Sequence, residues 1–198
     1  MTQKKQVFSG RVPVAIQKDF SFIGRLSLDF AQTGDMGYGA RFERFTSPAE
    51  FKRWLSLSPL HLSRLMVTNQ DLLRARSLRR AIWRVAEAIL ANANPAVTDV
   101  RTINRLACQP NLVRELDPDA SSMHWRKPTV ASVLATIAQD AVMLFGDKTQ
   151  RARLRRCENR GCIVIFYDDS RPGLRRWCAS NRCGDRVRAR VYRLRRKS

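Results

Sequence analysis

The sequence predicts a mainly α protein in two parts. Residues 1–150 form a helical domain holding one small β-hairpin, with 1–20 as an irregular arm, and residues 151–198 form a module of one short hairpin and one helix. Three observations predict this. Apolar residues recur at three- and four-residue steps through much of the first part. Helix-start signals of the Ser-Pro and Thr-x-x-Asp kind punctuate it. Four of the five cysteines fall in the last 48 residues as two C-x4-C pairs.

Composition bounds the problem. The chain has 198 residues and 44% hydrophobic content, enough to bury a core, so it is not a disordered basic protein. Its formal charge is +20. Sixteen basic residues against four acidic ones put +12 of that after residue 150. Such a field calls for a polyanion, nucleic acid first and anionic membrane as the rival. No run approaches the roughly 20 apolar residues that span a bilayer, and no signal-type segment follows the N-terminus, so a cytoplasmic location is expected. Closely spaced cysteines in a reducing compartment point to a metal rather than to disulfides.

Taken in order, Phe22 to Thr33 is an apolar stretch with one buried-looking acid, Asp29. The glycine-rich GDMGYG that follows lacks the spacing and the lysine of a phosphate-binding loop and reads as a turn. Ser47, Pro48 and Glu50 open a helix to about Leu57 with a capping box. Ser58-Pro59 repeats the signal and predicts a second short helix over LHLSRLMV. A long helix then runs from Thr68, with Asp71 in the capping position, to about Ala91. Leu72, Ala75, Leu78, Ile82, Val85 and Ile89 make its apolar stripe.

Asn94-Pro95 breaks that helix, and Thr98 is the expected cap of the next. NLVREL and SSMHW read as two short strands around a DPDA turn. Thr129 introduces a core helix with Val130, Val133, Leu134, Ile137, Ala138, Ala141, Leu144 and Phe145 on one broad face and Gly146 as its stop. Cys108 reads as a buried small apolar residue.

Four thiolates suit a tetrahedral zinc ion, and the expected ligands are Cys157, Cys162, Cys178 and Cys183, one Zn2+ per chain. Neither histidine, His61 or His124, lies in the module. So small a module needs a metal to hold together. Between the pairs, IVIFYD reads as a strand and DSRPG as a turn, so that LRRWC returns beside it. GDRVRARVYRLRR then forms a helix with Val187, Val191 and Leu194 on one face. Knuckle, hairpin and helix make a treble-clef-like arrangement.

Fifteen of the sixteen basic residues in this module are arginines, the side chain that forks onto phosphate or guanine. Arg186, Arg190, Arg193 and Lys197 line up along the helix, with Arg182 upstream and Arg175 and Arg176 before the second pair. These seven are the expected nucleic-acid contacts. Phe166 is expected in the module's small core, and Trp177 over the metal site rather than against a nucleotide.

The run from Phe166 resembles the CGNR zinc-finger family: Phe166, Asp168, Ser170 and Arg171, then Arg176-Trp177-Cys178, then Cys183-Gly184-Asp185-Arg186. Asp185 stands where that family has Asn, either reading a base or capping the helix, with the cap favoured. Leu28 to Thr33, LDFAQT, resembles the LDFVNT signature of the ABATE-type domain that precedes such fingers. The resemblance implies a DNA-binding, stress-induced transcription regulator, with double-stranded DNA as partner and the helical domain as sensor of a small-molecule effector or as a homodimer contact. Asp29 and Thr33 are candidate contacts for a small ligand in the helical domain, with a buried hydrogen-bonded pair within the helix as the favoured alternative, and Gln32 stands where the signature has Asn. Structured RNA or ribosomes are the alternative partner. With no Ser-His-Asp, metal-hydrolase or nucleotide-binding motif, an enzyme is not expected.

Overall fold

The computed structural model describes residues 20–34, 36 and 42–196. The expected arm at 1–20, all but its last residue, most of the GDMGYG turn, and Lys197 lie outside the described residues.

Helices α1 (Leu26–Ala31), α2 (Pro48–Leu57), α3 (Asn69–Leu90), α4 (Val97–Ala107) and α5 (Val130–Gly146) build the first part. Strands β1 (Arg114–Leu116) and β2 (Met123–Trp125) pair antiparallel between α4 and α5, with Glu115 opposite His124. After the one-turn α6 (Lys148–Arg151), β3 (Leu154–Arg156) pairs antiparallel with β4 (Ile165–Tyr167), and α7 (Asp185–Arg195) ends the chain.

The local chemistry behind these elements is direct. Thr68 and Asp71 close a reciprocal capping box on α3, and Thr129 with Ser132 does the same for α5. The predicted stripe of α3 is buried down to Val85, while Ile89 is half covered. On α5 every predicted face residue is buried except Phe145, which is half covered. Phe30, Phe45, Phe51 and Trp54 form an aromatic cluster with centroids 4.9 to 6.5 Å apart.

Helix α1 has no cap of its own. Asp140 of α5 supplies one: its Oδ2 accepts the Ser27 amide at 2.9 Å, and its Oδ1 lies 3.0 Å from Arg25 Nε.

Four local expectations are corrected. Residues 59–67 are not helical, because the Ser58 hydroxyl donates back to the Leu55 carbonyl and accepts from the Leu60 amide, making a turn rather than a start. Leu60, Leu62 and Leu65 are buried from an irregular segment instead. Helix α4 opens from Ala96 with no side-chain cap, not from Thr98, and Asp99 in its first turn is gripped by Arg84. Helix α3 stops before Asn94-Pro95, at Asn92 in the left-handed region, where Ala93 N–H bonds the Ala88 carbonyl at 2.9 Å in a Schellman closure. The Ser47 hydroxyl accepts the Glu50 amide, but Glu50 turns to Arg53 rather than closing the box.

The least expected core residue is Arg79, 1% exposed on the buried side of α3. Its guanidinium donates to the Thr33 carbonyl at 3.1 Å, pairs with Glu43 and lies 5.1 Å from the Phe45 ring centroid. A Cβ on Gly34 would meet Arg79 Nε at 2.9 Å, so the loop after α1 needs glycine there. Removing one partner of a buried, bonded ion pair costs about 3 to 5 kcal/mol, whereas exposed substitutions stay within about 0.5 kcal/mol. Arg79→Met should therefore lower the urea midpoint far more than Arg80→Ala, its exposed neighbour. Equal small shifts would remove the network from the stability of this domain.

Candidate metal centre and arginine helix

The cysteine cluster is assembled on the β3–β4 hairpin. Cys157 directly follows β3 and its amide bonds the Val164 carbonyl at 3.0 Å; Gly161, at φ +83, turns the tip, and Cys162 N–H bonds the Asn159 carbonyl at 2.9 Å. The partner of β4 is thus β3, on the near side of the first cysteine pair, and not LRRWC as the sequence suggested. The returning segment makes one bridge to the knuckle backbone, Glu158 N–H to the Arg176 carbonyl at 2.9 Å, reinforced by the Arg176–Glu158 ion pair at 2.6 Å.

The second pair spans a five-residue π-turn, Ser180–Gly184, closed by Gly184 N–H on the Ala179 carbonyl. It carries Cys183 under the hairpin tip. All four sulfurs lie within 4.8 Å of one another and all four cysteines are buried. Cys178 Sγ is 3.7 Å from Cys183 Sγ and 3.9 Å from Cys162 Sγ. A tetrahedron of sulfurs with metal–sulfur bonds of about 2.3 Å has edges of about 3.8 Å. The donor set therefore fits a thiolate-binding dication.

Outer contacts orient the ligands: Asn159 Nδ2 donates to Cys183 Sγ at 3.4 Å and the Cys178 amide to Cys157 Sγ at 3.5 Å. Hydrogen bonding among the four sulfurs shifts their thiols in opposite directions. A hydrogen bond from Cys162 draws Cys157 down to about 7, and bonds from Cys157 and Cys162 draw Cys183 lower still. Cys162 and Cys178 are pushed up, Cys157 being the first cause in both. Such a cluster releases its protons when a dication binds.

Buried Asp168 organises the far loop. Its carboxylate accepts the Ser170 hydroxyl at 2.6 Å and the Arg175 amide at 2.8 Å, while Arg153 Nη1 donates to the Asp168 and Ser170 carbonyls. Burial alone would raise this carboxyl, but those bonds and the Arg175 charge hold it below the usual range. Asn159 and Arg153 were not singled out in the sequence. Asp168 was marked only by resemblance, because its role depends on a loop that periodicity does not describe.

The six expected nucleic-acid residues that lie among the described residues divide into two groups, Lys197 lying outside them. Arg175 is turned inward: it pairs with Asp169, donates to the Cys178 carbonyl at 3.0 Å and lies over the Phe166 ring. Arg176 pairs with Glu158 and lies over Trp177, which packs against the cysteine cluster as expected. Arg182 Nη1 reaches Ser21 Oγ at 2.8 Å, across to the first part. Arg186, Arg190 and Arg193 make no hydrogen bond or ion pair among the described residues. They ride on a helix with no buried residue, whose Val191 and Leu194 are 41% and 60% exposed.

Asp185 makes no capping bond. It pairs instead with Arg188 at 2.6 Å, and Arg188 also holds the Ser180 carbonyl. The acid thus neutralises one arginine at the helix start.

Asp29 and Thr33 are buried but not bonded to each other. Asp29 Oδ1 accepts the Ile23 amide at 2.7 Å, and the Thr33 hydroxyl donates to the Phe30 carbonyl at 2.7 Å. They face a cavity of about 50 Å³ between α1 and the cysteine module, shared with Gln32, Arg182 and Cys183. Cys108, expected buried, is exposed at the end of α4, where the helix face has turned away from the core.

Fold and site together define a helical domain joined to a four-cysteine finger. The chain belongs to the ABATE family, described as "Putative stress-induced transcription regulator", which it matches over residues 24–148; residues 153–196 match the CGNR zinc finger. No curated protein matches the chain.

Burial raises the Asp29 carboxyl to about 7 from an ordinary 3.8; the Ile23 and Gly24 amides oppose the rise and Asp140 adds to it. The folded chain thus keeps a proton that the unfolded chain has lost, so stability falls as pH rises from about 4 through 7. Asp29→Asn should raise the urea midpoint at pH 8 and change it little at pH 4. A uniform shift at both would mean packing, not charge, sets the effect.

Proposed function

We propose that this protein is a DNA-binding transcription regulator in which one zinc ion per chain folds the cysteine module. The exposed arginines of α7 then hold double-stranded DNA. The observation that carries this reading is the pairing of the sulfur tetrahedron with a helix that buries no residue and on which Arg186, Arg190 and Arg193 have no partner among the described residues. When bound, zinc supplies a fixed tetrahedral node. Cys157 and Cys162 would hold the hairpin tip to it, and Cys178 and Cys183 would hold the start of α7.

Eleven helical residues span about 16 Å, a length that enters a major groove. Arginine forks there reach phosphates and guanine edges. The role is binding rather than catalysis, carried out in the cytoplasm, with the helical domain sensing a signal or pairing two copies.

Metal analysis of the purified chain should give one zinc, and Cys183→Ser should lose it and unfold the module while α3 and α5 persist by circular dichroism. Affinity for duplex DNA should fall with salt by about −0.9 in log-log slope per phosphate neutralised. Arg186→Ala with Arg190→Ala should flatten that slope by about two contacts, whereas Arg175→Ala should act through loss of folding. Stronger retention by an RNA hairpin than by duplex DNA at matched salt would transfer the reading to RNA.

A further inference from the structure

We propose that the cleft between α3, α4, α5 and α6 is a binding site for an amphiphilic anion, an apolar chain or ring system ending in a carboxylate or sulfonate. The cleft measures about 840 Å³, within the range of sites for small organic molecules. It exists because two helices stop early. Helix α3 closes at Asn92, and α5 ends at Gly146, where Asp147 caps the one-turn α6. Among the described residues neither is followed by a segment that fully covers Ile89, Leu90 or Phe145, which stay half buried beside Ile103.

The charge around this apolar floor has one sign. Lys148 and Arg151 of α6 line the cleft, and among the described residues no carboxylate does. The acids nearby are engaged elsewhere: Asp147 accepts the Thr149 and Gln150 amides, Glu87 pairs with Arg156, and Asp99 pairs with Arg84. An apolar body with a single anionic head satisfies both features. A neutral body would leave the two cations unused, and a cation would be repelled.

The cleft also reaches the finger. Leu154 lines it and is the first residue of β3, paired with Tyr167 and followed three residues later by Cys157. An occupant packed on Leu154 acts on the strand that holds the cysteine knuckle. This gives the sensing role proposed above its ligand class and rests on that reading, but binding to the cleft is measured independently of DNA.

The test uses the full zinc-loaded chain and three probes below their micellar concentrations: dodecanoate, 1-dodecanol and dodecyltrimethylammonium. Calorimetry should find one dodecanoate per chain, bound at least about tenfold tighter than either other probe. Val100→Trp, filling the cleft, should abolish it. Lys148→Glu with Arg151→Glu, both on the exposed α6, should weaken dodecanoate at least about tenfold and leave dodecanol unchanged. The second variant decides the matter if the first does not fold. Several dodecanoates per chain, unaffected by the charge reversal, would mean adsorption to a basic surface and overturn the site. A chain that binds one dodecanoate yet ignores duplex DNA keeps the cleft and removes the regulator reading; one that binds DNA but no dodecanoate does the reverse.

Discussion

Everything after residue 150 depends on one short extended segment, 163–166, that serves two cores at once. Side chains of an extended chain alternate between faces. Ile163 and Ile165 enter the large helical core, whereas Val164 and Phe166 enter the cysteine cluster. A single run of four apolar residues therefore fixes the finger to the helical domain and supplies much of the finger's own interior. The residues between the two family matches are correspondingly few, and Leu154 of β3 already belongs to the large core.

The cysteine cluster and the arginines make up for what this arrangement lacks. With Leu154, Ile163 and Ile165 given to the helical core, four cysteines, Val164 and Phe166 are the buried residues of the module's own cluster, too few to order a chain of its length. Its loops also leave carbonyls without strand partners, and arginines take them: Arg153 on Asp168 and Ser170, Arg155 on Gly173, Arg175 on Cys178. Much of the positive charge here is thus structural. The remainder on α7 is distinguished by the absence of acids, since Asp185 of that helix is committed to Arg188.

What the sequence made legible follows from what is periodic or stoichiometric. The stripes of α3 and α5, the reciprocal cap at Thr68, the β1–β2 hairpin and the four-cysteine set could be read because spacing alone defines them. The strand partner of β4 could not, since LRR occurs both at 154–156 and, as LRRWC, at 174–178, and both segments could pair with IVIFY. The choice is made by three-dimensional closure around Cys157 and Cys162. Arg79 was illegible for a related reason: its burial depends on Glu43 and the Thr33 carbonyl, each more than thirty residues away. Ser58-Pro59 misled because the signal for a helix start and for a serine-closed turn is the same dipeptide.

The junction between the two parts has the character of a rigid joint rather than a linker. Arg25 pairs with Asp140 on α5 and lies 5.6 Å from the Tyr167 ring on β4; Arg156 pairs with Glu87 on α3; Arg182 reaches Ser21. These polar ties surround the apolar strand and sit on α1, α3 and α5. A change in how those helices pack cannot be absorbed by a flexible tether, because none separates α6 from β3. It must either be resisted by the core or be passed into the hairpin, whose next residue after β3 is Cys157, the first cysteine of the cluster. Packed cores deform by discrete steps rather than by gradual give. The cysteine cluster, set at the end of that strand, is where such a step would be registered.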